Sequence, residues 1–357
     1  MKQFIRCASG IKMMAGISVL LLFLNGGFGI SPDLEAQTPF YQGKTVRIVV
    51  GSAPGGLYDR WARLLARYMP KYIPGNPEFI TQNMPGAGSL VATNYVYGVA
   101  KPDGLTLGMF QYHMYMEQLI GRKEVQFDLY KFNWIGSQEK SQMMFYVRAD
   151  SPYKSMGDIL KAKEPPKCGG SGTADNTFML AKILDETIGA KINTVLGYKG
   201  GSEVDLAMER GEVICRATRI PVHFSREPFI TWDRKGFDRH LLQTGRRRDE
   251  KLLEVPTIYE LMNEHKTPDV SRRVAQAILA GDEFGRPMVA PPGTLPERVK
   301  ILREAYVRAM KDPELLAEVK KGNMDVDPST GEELQALVKE VMDQPSEVVE
   351  RIKILLR

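Results

Sequence analysis

Four glycine-rich turns hold the chemistry this chain can offer: residues 52–56 (SAPGG), 84–89 (MPGAGS), 169–173 (GGSGT) and 198–202 (YKGGS). Each lies where an apolar, strand-like run gives way to helical periodicity. Glycine lets the main chain approach a ligand closely, because no Cβ intervenes. The first N–H groups of the helix that follows have no partner inside the helix, and the helix dipole makes that end favourable for an anion. Two such turns facing two others across a crevice would surround a small anion with uncharged donors, as happens at the carboxyl ends of parallel strands. One of these turns alone reads as a tight turn and no more; four in matching places point to a binding cleft. Gln111, which follows a strand together with Tyr112 and His113, can reach the same cleft.

Nothing in the sequence supplies a catalytic constellation beside these turns. The four histidines, His113, His223, His240 and His265, are too far apart along the chain for a local metal motif. No catalytic residue, metal or cofactor is expected. Gly43-Lys44-Thr45 looks like the end of a phosphate-binding loop, but Thr38 stands at the first glycine position and the triplet precedes its strand. The turn at 169–173 departs from a nucleophile elbow at its last position, Thr173. Asp59 reads as a first-turn dipole partner, Arg60 as a surface residue, and the run Arg246-Arg247-Arg248 as a solvated loop.

The elements that must position these turns follow from length and pattern. The chain has 357 residues, 43% hydrophobic and 25% charged, with a formal net charge of +5. That composition excludes a disordered chain, and the small charge excess argues against a nucleic-acid binder. Lys2, Arg6 and Lys12 precede an apolar run at 13–24 that Asn25-Gly26-Gly27 breaks. This is the pattern of a secretory signal peptide. It is assigned to residues 1–36, with cleavage after Gly29 or Ala36, and the run falls short of the roughly 20 residues a spanning helix needs. The mature chain is therefore expected to be exported without membrane insertion.

Beyond the leader, strands are expected at 45–51, 79–83 and 105–110, and a helix at 57–72. That helix buries Tyr58, Trp61, Ala62, Leu65 and Met69 and turns Asp59, Arg60, Arg63 and Arg67 to water. The pattern restarts with a strand at 143–148 and a helix opened by the capping box of Ser155 and Asp158. Next come a short strand and turn at 167–172, a helix at 176–188 and a strand at 192–197. A helix at 202–210 repeats the box with Ser202 and Asp205, and a strand covers 212–217. Residues 226–248 read as irregular and basic. A strand at 286–290 and helices at 296–310, 313–321, 330–342 and 347–356 close the chain. The alternation predicts an α/β protein of two lobes, each a mainly parallel sheet flanked by helices. The chain would cross between them near Arg148 and near Pro287, giving lobe 1 as 37–148 plus 287–357 and lobe 2 as 149–286.

Residues 41–77 (YQGKTVRIVVGSAPGGLYDRWARLLARYMPKYIPGNP) resemble the start of the substrate-binding receptors of tripartite tricarboxylate transporters, the TctC/Bug type. The stretches 83–89 (NMPGAGS), 100–108 (AKPDGLTLG), 197–201 (GYKGG), 209–213 (ERGEV) and 285–293 (GRPMVAPPG) fit the same family in the same order. The resemblance implies a periplasmic, non-enzymatic receptor with the type II periplasmic-binding-protein, or Venus flytrap, fold and two crossovers. Such receptors close on a small carboxylate and deliver it to one large and one small membrane subunit driven by an ion gradient. They hold the ligand through loop amides, hydroxyls and ordered waters, often without an arginine salt bridge. Carried over by position, Ser52, Ala53, Gly55 and Gly56 with Pro85, Gly86, Ala87, Gly88 and Ser89 would form one jaw. Gly172, Thr173, Asn176, Tyr198, Gly200 and Gly201 would form the other. The sequence departs from the family at Leu57, where many relatives have a third glycine, and at the bulky Gln111, Tyr112 and His113. Two other readings stand beside this one: a sensor module that binds the same ligand for a signalling partner, and an exported hydrolase or transferase, for which a nucleophile, base and orienter are wanting.

Export would place Cys168 and Cys215 in an oxidising compartment, as one disulfide or as two buried thiols. If the second lobe takes the strand order 2-1-3, their strands are neighbours about 4.8 Å apart. A bond is then within reach and is expected on that condition.

Overall fold

The computed structural model describes residues 38–172, 175–225 and 227–356. The expected leader, residues 1–36, lies outside the described residues. In chain order the strands are β1 (Thr45–Val50), β2 (Glu78–Asn83), β3 (Thr106–Met109) and β4 (Asn133–Ser137). There follow β5 (Met143–Arg148), β6 (Lys167–Gly169), β7 (Asn193–Val195), β8 (Cys215–Arg219), β9 (Asp238–Gln243), β10 (Pro287–Ala290) and β11 (Ser329–Thr330). They form two sheets, ordered β11-β4-β10-β3-β1-β2 and β7-β6-β8-β5-β9.

Both sheets are mixed where mainly parallel ones are expected. β1, β2 and β3 run parallel, as do β7, β6 and β8, but β10 and β5 pair antiparallel with both of their neighbours. The cause is the crossing itself: these two strands carry the chain from one sheet to the other and enter against the local direction. The change of sheet falls between Ser137 and Met143, ahead of the crossing expected near Arg148; the return falls at Gly285, next to Pro287. Gly285 has φ +56°, and a Cβ there would lie 1.6 Å from the Glu139 carbonyl oxygen, so the two crossing segments touch main chain to main chain. Glu139, buried, accepts from Trp61 Nε1 (3.2 Å) and Arg286 Nε (2.9 Å), which fixes both segments to the first helix.

The first helix, Leu57–Tyr68, packs Tyr58, Trp61, Ala62 and Leu65 beneath β1 and against the helix Pro296–Ala309. Its Asp59 does not turn to water: it is 2% exposed and accepts hydrogen bonds from Gly55 N, Asn83 Nδ2 and Arg63 Nε. A second expectation also changes. Gly200 caps the helix Gly201–Arg210 with no side-chain bond, and Asp205 is buried in a pair with Arg216 in place of the capping box with Ser202. Residues 226–248 contain the helix Phe229–Lys235 and β9, whose polar start, Asp-Arg-His, hides the apolar Leu241 and Leu242 that pack against the second sheet's core. The helix Asp269–Phe284 spans both halves. Its Val274, Ala277 and Ile278 join the core under the second sheet, while Ala280 and Phe284 join one under the first. The last helix, Ser346–Leu355, buries Val348 and Ile352 in the second sheet's core. Among the described residues no helix is long and apolar enough to cross a membrane.

Candidate functional site

The carboxyl ends of β3, β1 and β2 lie side by side, so the chain leaving each strand gathers at one edge of the first sheet. Side chains tie these exits together. Ser89 Oγ donates to Gly51 O (2.7 Å) and accepts from Gln111 N (3.2 Å), and Asn83 Nδ2 donates to Ser52 O (3.0 Å). Gly55 N, an amide expected to face an anion, is already bonded to Asp59 Oδ2 at 2.8 Å. Ala53, Gly55, Gly56, Pro85, Ala87 and Gly88 are exposed, Ser52 and Gly86 half-buried, and Ser89 buried. Gly86, at φ +150°, could take no side chain without meeting Val91 at 2.8 Å. His113 Nε2 would be 3.1 Å from a Cβ on Gly88, and burial lowers the imidazole's pKa from its ordinary value.

In the second sheet the turn after β6 is closed by Asp175, which accepts from Thr177 N (2.8 Å) and from Ser171 N and Oγ, while Gly172 O accepts from Asp175 N. Thr173 lies outside the described residues. Asn176 opens the helix Asn176–Ile188. After β7, Tyr198 is half-buried, Lys199 N donates to Glu203 Oε2, and Gly201 O accepts from Arg216 Nη1 at 2.8 Å.

One cavity of about 560 Å³ brings the two sheets' residues together. Tyr112 and His113 enter from the first sheet, Asn176 and Arg219 from the second, and Asp282 from the helix that spans both. Arg219 Nη2 donates to Tyr112 Oη (3.0 Å), and its Nη1 donates to Ser141 O and lies 3.4 Å from Asp282 Oδ1. Asp282 Oδ2 accepts from Thr244 Oγ1 at 2.7 Å. Burial pushes the Asp282 carboxyl up to about 6, against the pull of Arg219. Met116, Met143, Met179, Ile183, Ile278 and Leu356 make much of the remaining wall apolar, and Glu117, which pairs with Arg122 at 2.8 Å, also lines it. A larger cavity of about 720 Å³ lies among Lys140 and Arg246 to Lys251, but there Arg246 is paired with Glu340 and Arg248 with Glu260.

Of the residues named from sequence, Tyr112, His113 and Asn176 line the inter-sheet cavity, and Gln111 adjoins Tyr112. The turns carrying Ser52 to Gly56, Pro85 to Ser89 and Tyr198 to Gly201 do not line it. Arg219 and Asp282 escape sequence reasoning. Their signals are an arginine at the end of the strand Cys215–Arg219 and the first of two adjacent acids, Asp282 and Glu283, in the largely apolar stretch 274–284, and each reads as an ordinary surface charge until the partner is in place.

The family model described as "Tripartite tricarboxylate transporter family receptor" matches residues 62–354. A Cupriavidus necator relative, "UPF0065 protein in gbd 5'region", is 27% identical over 323 residues, 89% of this chain and 90% of that protein. Among solved structures, a TctC solute binding protein from Polaromonas has a TM-score of 0.68 at 20% identity, covering 88% of this chain and 98% of that one. An R. palustris protein solved with adipate has a TM-score of 0.55 at 18% identity, covering 87% and 97%. At these identities the structures show a shared type II periplasmic-binding-protein fold.

Proposed function

The chain belongs to the tripartite tricarboxylate transporter receptor family, and on that premise we propose that it captures a small carboxylate between its two sheets and passes it to a large and a small membrane subunit. The Arg219 guanidinium carries this reading. It lines the cavity from the second sheet, meets Tyr112 from the first, and faces Asp282, whose carboxyl burial raises to about 6, so that it is half protonated at that pH. A guanidinium held in place on two sides offers its remaining N–H groups to a carboxylate at little ordering cost. The methionine and isoleucine walls suit a ligand with a hydrocarbon body, and the relative solved with adipate is consistent with that choice.

Closure would bring the glycine-rich turns at Gly55, Gly86 and Gly200 onto the ligand and complete its burial, because the ligand binds the closed form better than the open one. The two moving bodies are the halves built on the two sheets, divided at 138–142 and at 285–286, with the last helix serving the second. Residues 1–36 would export the chain to the periplasm.

A screen of mono-, di- and tricarboxylates beside amino acids, phosphate esters and neutral sugars tests the reading through melting temperature and calorimetry. The expected result is a raised Tm with one carboxylate class, by mass action on the folded state. Stabilisation by sugars alone, or by no carboxylate, would overturn it.

A further inference from the structure

His223 ends the short helix Ile220–His223 that leaves β8, while Asp238 and His240 stand two apart on β9 and so share one face of the strand. The histidines are 17 residues apart in sequence, yet their Nε2 atoms lie 3.2 Å from each other. Asp238 Oδ2 lies 3.2 Å from His223 Nε2 and 3.5 Å from His240 Nε2. Three donor atoms therefore form a nearly equilateral triangle. Two facing Nε2 atoms can share one proton but cannot both carry one. The Asp238 side chain is 1% exposed, and neither of its oxygens accepts a hydrogen bond of proper geometry among the described residues. A buried carboxylate is costly in that condition.

From this geometry we propose that His223, Asp238 and His240 form a divalent-cation site in the second half of the molecule, best matched to zinc. With metal–ligand bonds of about 2.0–2.1 Å, the edge of a tetrahedron is about 3.3 Å, whereas an octahedron's is about 2.9 Å. The observed triangle fits the tetrahedral face. Two imidazoles and one carboxylate are borderline ligands suited to zinc, whereas calcium and magnesium call for oxygen throughout. The donors are held in position: the His223 ring stacks on Phe229 at 4.8 Å and lies 5.0 Å from Tyr146 and 5.2 Å from Phe224. His223 is fully buried, but the His240 side chain is 15% exposed, and on that side a water or small anion takes the fourth position. The bound ion would tie the exit of β8 to the edge strand β9 and pin the segment between them.

The test uses the purified protein stripped with a chelator and titrated with zinc chloride by calorimetry and thermal melting, with cobalt(II) chloride as a spectroscopic stand-in. One zinc per chain, a raised Tm and the intense visible bands of tetrahedral cobalt are expected. The variants His240→Ala and Asp238→Asn, each checked for folding by circular dichroism, should weaken zinc by at least about a hundredfold, since even an outer-shell loss costs about 10–100-fold. No stoichiometric zinc, zinc affinity in both variants unchanged from the wild type, or a weak octahedral cobalt spectrum would overturn the site. If either variant fails to fold, the wild-type stoichiometry and cobalt spectrum decide the question.

Discussion

Tyr112, in the turn after β3 of the first sheet, accepts a 3.0 Å hydrogen bond from Arg219, the last residue of β8 in the second. Gly281 makes room for this contact, because a Cβ there would lie 2.7 Å from the Tyr112 ring. The guanidinium is thus oriented by groups from both halves before any ligand arrives.

Arg219→Lys keeps the charge but loses the planar fork. Carboxylate affinity should fall by about tenfold or more, in line with about 1.5–3 kcal/mol for a hydrogen bond to a charged group. Tyr112→Phe, which removes the first half's hold on the guanidinium, should weaken affinity by a smaller factor. Calorimetry on both variants reads the difference, and an unchanged Kd in Arg219→Lys would remove the arginine from the site.

Asp282 makes stability depend on pH. Its carboxyl lies at about 6 in the folded protein against an ordinary 3.8, chiefly because it is buried. The folded state therefore holds this proton more tightly than the unfolded one. The resulting stabilisation is complete below about pH 4 and is lost as pH rises through about 6, roughly 3 kcal/mol at most. Denaturant midpoints between pH 4 and 7 should carry this slope, and Asp282→Asn should flatten it while keeping an acceptor for Thr244. An equal slope in the variant would assign it to another group.

The glycines of the first two turns should respond differently to substitution. Gly55 has φ +84° with open space around it, so Gly55→Ala should cost about 1 kcal/mol of backbone strain and no packing. At Gly86 the new Cβ meets Val91 at 2.8 Å as well, so Gly86→Ala should cost distinctly more. Chemical unfolding of the two variants ranks them, and the reverse order would mean that the second turn relaxes.

Cys168 and Cys215 are register partners on β6 and β8, joined by a disulfide with Cα atoms 4.4 Å apart. Alkylating the denatured, unreduced protein should leave its mass unchanged at both positions. Reduction should lower stability by about 4 kcal/mol, the chain-entropy figure for a loop of 47 residues. Two labelled thiols without reductant would refute the bond.

Sequence pattern captured what depends on near neighbours. β5 and the helices Asn176–Ile188 and Pro313–Lys321 fall where periodicity puts them, because each has apolar spacing and turn residues that agree. It missed what depends on distant partners. Asp59 looks like a surface acid until Gly55 and Asn83 close around it, and His223 and His240 meet only because β9 lies beside β5 and brings its edge to the end of β8. The glycine-rich turns were legible as turns, but their amides were not legible as occupied: Gly55 N and Lys199 N are taken by carboxylates one helical turn ahead. Tyr112, His113 and Asn176 were legible as cleft residues, but the cavity's charged pair, Arg219 and Asp282, was not, since the two come from remote parts of the chain.

The helix Gly331–Met342 sets Leu334, Val338 and Val341 under the first sheet, and only residues 343–345 separate it from the helix Ser346–Leu355, which seats Val348 and Ile352 under the other. In the proposed closure this tail would be one leash between the halves, beside the helix Asp269–Phe284: opening would have to bend residues 343–345 or lift an apolar helix from its seat.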